Sequence, residues 1–181
     1  MEEVVFPKDV QALAKSSEDS NYDFKILKAV MDVNDFQKTK LIPSIKNHFK
    51  NDLKGKVFAM WGLSFKPQTD DIREAPSLYN IEELLQAGAI VKAHDPESMG
   101  NVKALLGSKI QYCETPYEAA QGADAIFIAT EWPEFRTPDF DKLTSILKSK
   151  VIFDGRNLYD TQAMADLGYT YYSIGRKTIY G

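Results

Sequence analysis

The chain is organised around residues 57–73, VFAMWGLSFKPQTDDIR. Val57 to Trp61 form an unbroken apolar run, short enough for a strand buried on both faces. The run stops at Gly62 and opens into a loop carrying Ser64, Phe65, Lys66, Thr69, Asp70, Asp71 and Arg73. A helical pattern then starts near Pro76. A buried strand, a polar loop and a helix in that order make the opening unit of a doubly wound sheet. In such a sheet the loop leaving the carboxyl end of the first strand faces the ligand crevice.

From Lys56 onward strand and helix patterns alternate. Strands are expected at Val57–Trp61, Ile90–His94, 110–113, 125–129, 151–153 and 170–172. Helices are expected between them at 77–87, Met99–Leu106, 116–121, 140–147 and 161–167. Gly88 and Gly168 stand where helix C-caps belong. This alternation implies right-handed crossovers and a mostly parallel sheet. The expected fold class is therefore α/β, with a Rossmann-like parallel sheet over residues 54–181.

Residues 1–53 read as a helical preface. Phe6-Pro7-Lys8-Asp9 resembles a helix entry, with Val10, Leu13 and Ala14 on one side. Residues 16–22 are polar and read as a short connection. From Asp23, Leu27, Val30, Met31, Leu41, Ile45 and Phe49 recur at helical spacing, and Val33 and Ile42 widen the stripe. Pro43 removes a backbone donor and should kink or restart the helix. About 28 helical residues would span ~42 Å, more than the domain behind them needs, which points to packing against a partner. The alternative is a helix lying across its own domain's sheet.

Composition narrows the function classes. Of 181 residues, 44% are hydrophobic and 27% charged, as in a globular domain with a polar surface. A net charge of −4 argues against a nucleic-acid partner. No apolar run approaches the ~20 residues of a membrane span, and the amino terminus lacks a signal-peptide pattern. Cys113 is the only cysteine, which excludes an internal disulfide and suits a cytoplasmic setting. His48 and His94 are too isolated to suggest a metal site.

Three strand exits carry unusual polar content: Phe65-Lys66 with Asp70, Asp71 and Arg73; then Thr130-Glu131-Trp132-Pro133; then Asp154-Gly155-Arg156-Asn157. In the doubly wound order the first and fourth strands are neighbours, so these exits converge. Lys66 offers a point charge to phosphate, Arg156 a planar fork, and Trp132 a face for a base. Each has a plainer reading. Lys66 and Arg73 fit solvated loop cations, Arg156 a partner of Asp154 or Asp160, Trp132 a cover for the sheet, and Asp70 and Asp71 caps of the next helix. Cys113 reads as core. A dinucleotide fingerprint is absent, because only Gly62 of the required glycines is present and a bulky Phe-Lys pair follows.

The strings GLSFKPQTDDIREAPS, HDP, TEWPEF and DGRNLYD closely resemble the C-terminal, nucleotide-sugar-binding domain of UDP-glucose 6-dehydrogenases. FPKDVQAL and the following helix resemble the end of that family's catalytic-cysteine motif and its central dimerisation helix. The resemblance implies an NAD-dependent oxidation of UDP-glucose to UDP-glucuronate, with UDP-sugar binding and a homodimer supplied by this region. It implies substrate-binding roles for Phe65, Lys66 and Arg156, a contact to NAD from Arg73, and proton handling by Asp9. Relatives acting on GDP-mannose or N-acetylated UDP sugars share the architecture. The family places a cysteine directly before Phe-Pro-Lys-Asp, and here that position is Val5. Either the matching sequence begins near Phe6 or the nucleophile has been lost, and in both cases the piece is expected to be catalytically silent. Outside the family, the same residues would suit a free-standing nucleotide-binding or oligomerisation module.

Overall fold

The computed structural model describes residues 7–20 and 22–181. It divides into two compact units, Met1–Thr39 and Lys40–Gly181. The first holds helix α1 (Pro7–Asp19) and helix α2 (Lys25–Lys38). Helix α1 runs on through residues 16–19, which read as a connection, because their polar side chains do not oppose a helix once a first turn is nucleated. No residue of α2 is buried: Ile26, Val30 and Val33, at i, i+4 and i+7, are 71%, 39% and 56% exposed.

The second unit opens with α3 (Ile42–His48). The long helical pattern therefore restarts rather than kinks. Residues 39–41 leave the helix, and Pro43 falls in the first turn of α3, where its missing N–H has no intrahelical acceptor to lose. Ile42 and Ile45 of α3 are buried in the core of the sheet unit, so this helix belongs with the sheet.

The sheet is wound from β1 (Val57–Trp61), α4 (Pro76–Gln86), β2 (Ile90–His94), α5 (Met99–Leu106), β3 (Gln111–Tyr112), α6 (Pro116–Ala120) and β4 (Ala125–Ile128). It continues through α7 (Pro133–Arg136), α8 (Phe140–Ile146), β5 (Val151–Asp154), α9 (Thr161–Asp166) and β6 (Thr170–Ser173). The strand order is β3-β2-β1-β4-β5-β6 and every pairing is parallel. The chain reverses its direction of winding between β1 and β4, which opens the crevice beyond their carboxyl ends.

Alternate residues of β1 face opposite layers. Phe58 and Met60 join Val91, Phe127, Phe153, Ile45 and Ile81 on one side. Ala59 and Trp61 join Ile126, Ile128, Ile152, Phe135, Leu143 and Tyr171 on the other. Each such large side chain contributes about 1.5–3 kcal/mol by leaving water. The helices on the second face start on side-chain caps: Thr115, Asp139 and Asp160 accept from the amides of Glu118, Lys142 and Ala163. Gly88 (φ +80°) and Gly168 (φ +71°) end α4 and α9 in the left-handed region.

Candidate functional site at the carboxyl ends of the strands

Gly62 fixes the start of the loop after β1. Its φ is +90°, and a Cβ there would lie 2.4 Å from Thr130 Cβ, so only glycine lets the β1 and β4 exits approach this closely. The Gly62 amide donates to the His94 carbonyl at 2.9 Å, and the Thr130 hydroxyl donates to the Ser64 carbonyl at 2.6 Å. From the helix side, Ser77 Oγ donates to the Leu63 carbonyl at 2.6 Å. The loop carrying Phe65 and Lys66 is thus gripped from three neighbouring segments.

A buried carboxylate completes the grip. Asp95, the residue after β2, is 0% exposed. Its Oδ2 accepts from the Leu63 amide at 2.7 Å, the Ser64 amide at 3.2 Å and the Trp132 indole N–H at 3.0 Å. Its Oδ1 accepts from the amides of Glu97 at 3.0 Å and Ser98 at 2.8 Å. Burial pushes this carboxyl up, but the amide donors of Leu63, Ser98 and Glu97 outweigh it and hold Asp95 below the usual carboxylate range. The neighbouring His94 lies with Nδ1 2.9 Å from the Cys113 carbonyl and Nε2 3.1 Å from Glu134 Oε1, which ties α7 to β2.

Asp154 does the same for the third loop. It is fully buried and accepts from the amides of Arg156 at 2.8 Å and Leu158 at 2.7 Å, and from the Tyr171 hydroxyl at 2.7 Å. Burial and the Asp154 charge both push the Tyr171 phenol up, so it stays a donor. Tyr159 Oη donates to the Phe135 carbonyl at 2.6 Å, joining this loop to α7.

Of the expected site residues, Arg156 and the Phe65-Lys66 pair lie on loops that meet. Arg156 Nη2 donates to the Phe65 carbonyl at 3.3 Å, so the loops after β1 and β5 meet. The guanidinium pairs with neither Asp154 nor Asp160; its Nε is 3.9 Å from Glu131 Oε2 and makes no hydrogen bond. Lys66 is exposed and makes no ion pair among the described residues, whereas Phe65 is half-buried beside it. Arg73 is exposed and turned onto its neighbour, with Nε 2.7 Å from Asp71 Oδ1. Asp71 therefore serves Arg73 rather than the helix, and α4 starts at Pro76 with Ala75 as an N-cap that makes no side-chain bond. Trp132, a candidate to face a base, is instead 6% exposed with its N–H on Asp95. The Asp9 side chain, Val5 and Phe6 lie outside the described residues.

Cys113 is buried, and burial with the nearby Glu118 charge pushes its thiol up despite Lys92, as suits a core residue. Sequence reading passed over Asp95 and Thr130 as individual contributors. The signal was the HDP string directly after the second strand, a carboxylate at the crevice end of a buried strand.

A family profile described as the UDP-glucose/GDP-mannose dehydrogenase family, UDP binding domain, matches residues 59–161. The UDP-glucose 6-dehydrogenase of Pseudomonas aeruginosa is 44% identical over 176 residues, covering 94% of this chain and 39% of that protein. UDP-glucose 6-dehydrogenase TuaD of Bacillus subtilis is 39% identical over 97% of this chain and 38% of its own length. Among solved structures, a UDP-glucose dehydrogenase from the hyperthermophilic archaeon Pyrobaculum islandicum superposes with a TM-score of 0.74 at 33% identity. That match covers 84% of this chain and 33% of the archaeal one. The chain spans about two fifths of the length of the curated relatives it matches. With the three converging exits and the matched profile, this chain belongs to the UDP-glucose/GDP-mannose dehydrogenase family and contains its UDP binding domain.

Proposed function

We propose that this chain is the nucleotide-sugar-binding region of an NAD-dependent UDP-glucose 6-dehydrogenase, an enzyme converting UDP-glucose to UDP-glucuronate. Phe65, Lys66 and Arg156 hold the substrate: the two cations take the diphosphate, and the phenyl ring covers the sugar end. The observation that carries this reading is the Arg156–Phe65 hydrogen bond. It sets a guanidinium with an unbonded Nε against the loop whose next residue is Lys66, a lysine without an ion partner among the described residues.

Calorimetry with UDP, UDP-glucose and GDP tests it. UDP and UDP-glucose should bind and GDP should bind more weakly. At ~100-fold the dissociation constant, UDP stabilises by ~2.7 kcal/mol, raising the melting midpoint by roughly 5–10 °C for a chain of this size. Absence of any heat or shift at millimolar UDP would overturn the assignment.

The family uses NAD, but the β1–α4 turn does not fit as its main site. A pyrophosphate needs close backbone approach at a glycine-rich turn, and here Thr130 already fills the space over Gly62. Arg73 at the rim is suited to a single contact with a cofactor held elsewhere, and Asp9 to proton handling. The only thiol, Cys113, is buried, and Val5 stands where the family's nucleophile would be. The chain alone should therefore form no NADH from UDP-glucose above a buffer control.

The exposed Ile26, Val30 and Val33 stripe supports a second assignment within the same reading, a homodimer formed through α2. Sedimentation should show a dimer that Val30→Asp with Val33→Asp converts to monomer.

A further inference from the structure

We propose that Asp95 is the positioning residue of this site: its carboxylate locks the Phe65-Lys66 loop against the Trp132 loop in the one arrangement that grips a nucleoside diphosphate. This rests on the UDP-sugar reading above and adds a residue that touches no ligand.

The geometry is one-sided. Five N–H groups surround the carboxylate: those of Leu63, Ser64 and the Trp132 indole on Oδ2, and those of Glu97 and Ser98 on Oδ1. The Ser64 hydroxyl is shared between Oδ2 at 3.2 Å and the Lys66 carbonyl at 3.0 Å. Every one of these partners can donate, and an ionised aspartate is acceptor-only. An asparagine cannot replace it. Its NH2 would face either the Leu63, Ser64 and Trp132 donors or the Glu97 and Ser98 donors, leaving that side repelled and unpaired in a site with no water access.

The consequence runs through the chain to the ligand groups. Leu63 and Ser64 are the two residues before Phe65-Lys66, and the same Ser64 presents its carbonyl to Thr130. Releasing Oδ2 removes the ties on the Leu63 and Ser64 amides, so that between Gly62, which stays on the His94 carbonyl, and Phe65 the loop is held by the Thr130 and Ser77 bonds. Lys66 Nζ sits at the end of a long side chain, so a small rotation at Ser64 displaces its charge from the diphosphate by a distance that matters. Trp132 is released by the same oxygen, so both walls loosen together.

Electrostatics makes the test discriminating. Asp95 and the diphosphate are both negative. Removing the Asp95 charge, with nothing else changed, would tighten binding. The positioning role demands the opposite sign.

The experiment compares the wild-type chain, Asp95→Asn and Trp132→Phe by UDP calorimetry and by the indole N–H resonances of the two tryptophans. Trp61, in the same apolar layer, donates to the Pro116 carbonyl rather than to Asp95 and serves as the internal reference for an intact fold. Asp95→Asn should weaken UDP binding about tenfold or more, equivalent to about 1.4 kcal/mol. It should also move the Trp132 resonance and the Leu63 and Ser64 amides while Trp61 stays in place. Trp132→Phe, which removes one donor and keeps the charge, should weaken binding by a smaller factor and covers the case in which Asp95→Asn does not fold. Unchanged or tighter binding in a folded Asp95→Asn variant overturns the inference, as does weaker binding with unmoved loop resonances. A wild-type chain that ignores UDP would instead sink the ligand reading and this inference with it, a result visible before any variant is made.

Discussion

Arg156 and Phe65, 91 residues apart in the chain, are joined by a hydrogen bond from guanidinium Nη2 to main-chain oxygen at 3.3 Å. The bond spends one face of the guanidinium on the loop it is meant to cooperate with and leaves Nε without a hydrogen-bond acceptor. A half-used fork next to an exposed lysine suits an anion with several oxygens.

Lys66→Ala and Arg156→Ala should each weaken UDP binding by about 1.5–3 kcal/mol, the scale of a charged hydrogen bond. Arg156→Ala should also lower the melting midpoint slightly, through the lost Phe65 contact, whereas Lys66→Ala should not. Calorimetry and thermal melting of the two variants separate these effects. Normal UDP affinity in either variant would demote that cation to a surface charge.

Gly62→Ala should be strongly destabilising. The methyl group would meet Thr130 Cβ at 2.4 Å and the Thr130 amide nitrogen at 2.7 Å, on a backbone with φ +90°. A left-handed penalty of about 1–2 kcal/mol adds to about 1–3 kcal/mol of overpacking, so urea denaturation should show a loss of roughly 2–5 kcal/mol. Gly55, also at a positive φ but with open space around it, should lose only the conformational part when changed to alanine.

Acid should weaken the fold partly through Asp95. Its folded-state pKa lies below the unfolded value, so its contribution is fully present above the ordinary carboxylate pKa and is lost as pH falls through the depressed one. His94, Glu97 and Glu134 lie nearby and are present in both proteins compared. The stability gap between wild type and Asp95→Asn, read from urea midpoints, should be widest near neutral pH and shrink below pH ~4. A gap independent of pH would contradict this assignment.

Cys113 should be silent toward thiol reagents in the folded chain. Burial and Glu118 hold its thiol protonated, and the thiolate is the reacting form. An Ellman titration should give no rapid reaction under native conditions and one equivalent in urea.

Much of the scaffold was legible because the strands are short apolar runs with helices between them. The ends of β1, β2 and α5 fall where periodicity puts them. Elements went unread where local chemistry was ambiguous. Four-residue α7 is not among the expected helices, although Pro133 sits in its first turn, a position proline favours. Asp70 and Asp71 read as caps, but Glu74 at φ +56° turns the chain before α4 can use them. The convergence of the three loops followed from topology alone. The roles of Asp95 and Thr130 did not, since a carboxylate that organises residues 32 and 37 positions away has no signature in either stretch.

Asp154 holds its loop as Asp95 holds the other, so the floor of the crevice is assembled before anything enters it. A ligand arriving there meets a mould that has already set, and it need not immobilise the main chain around it. UDP should accordingly associate in a single fast phase at a rate proportional to its concentration, with no slower step in which the protein rearranges.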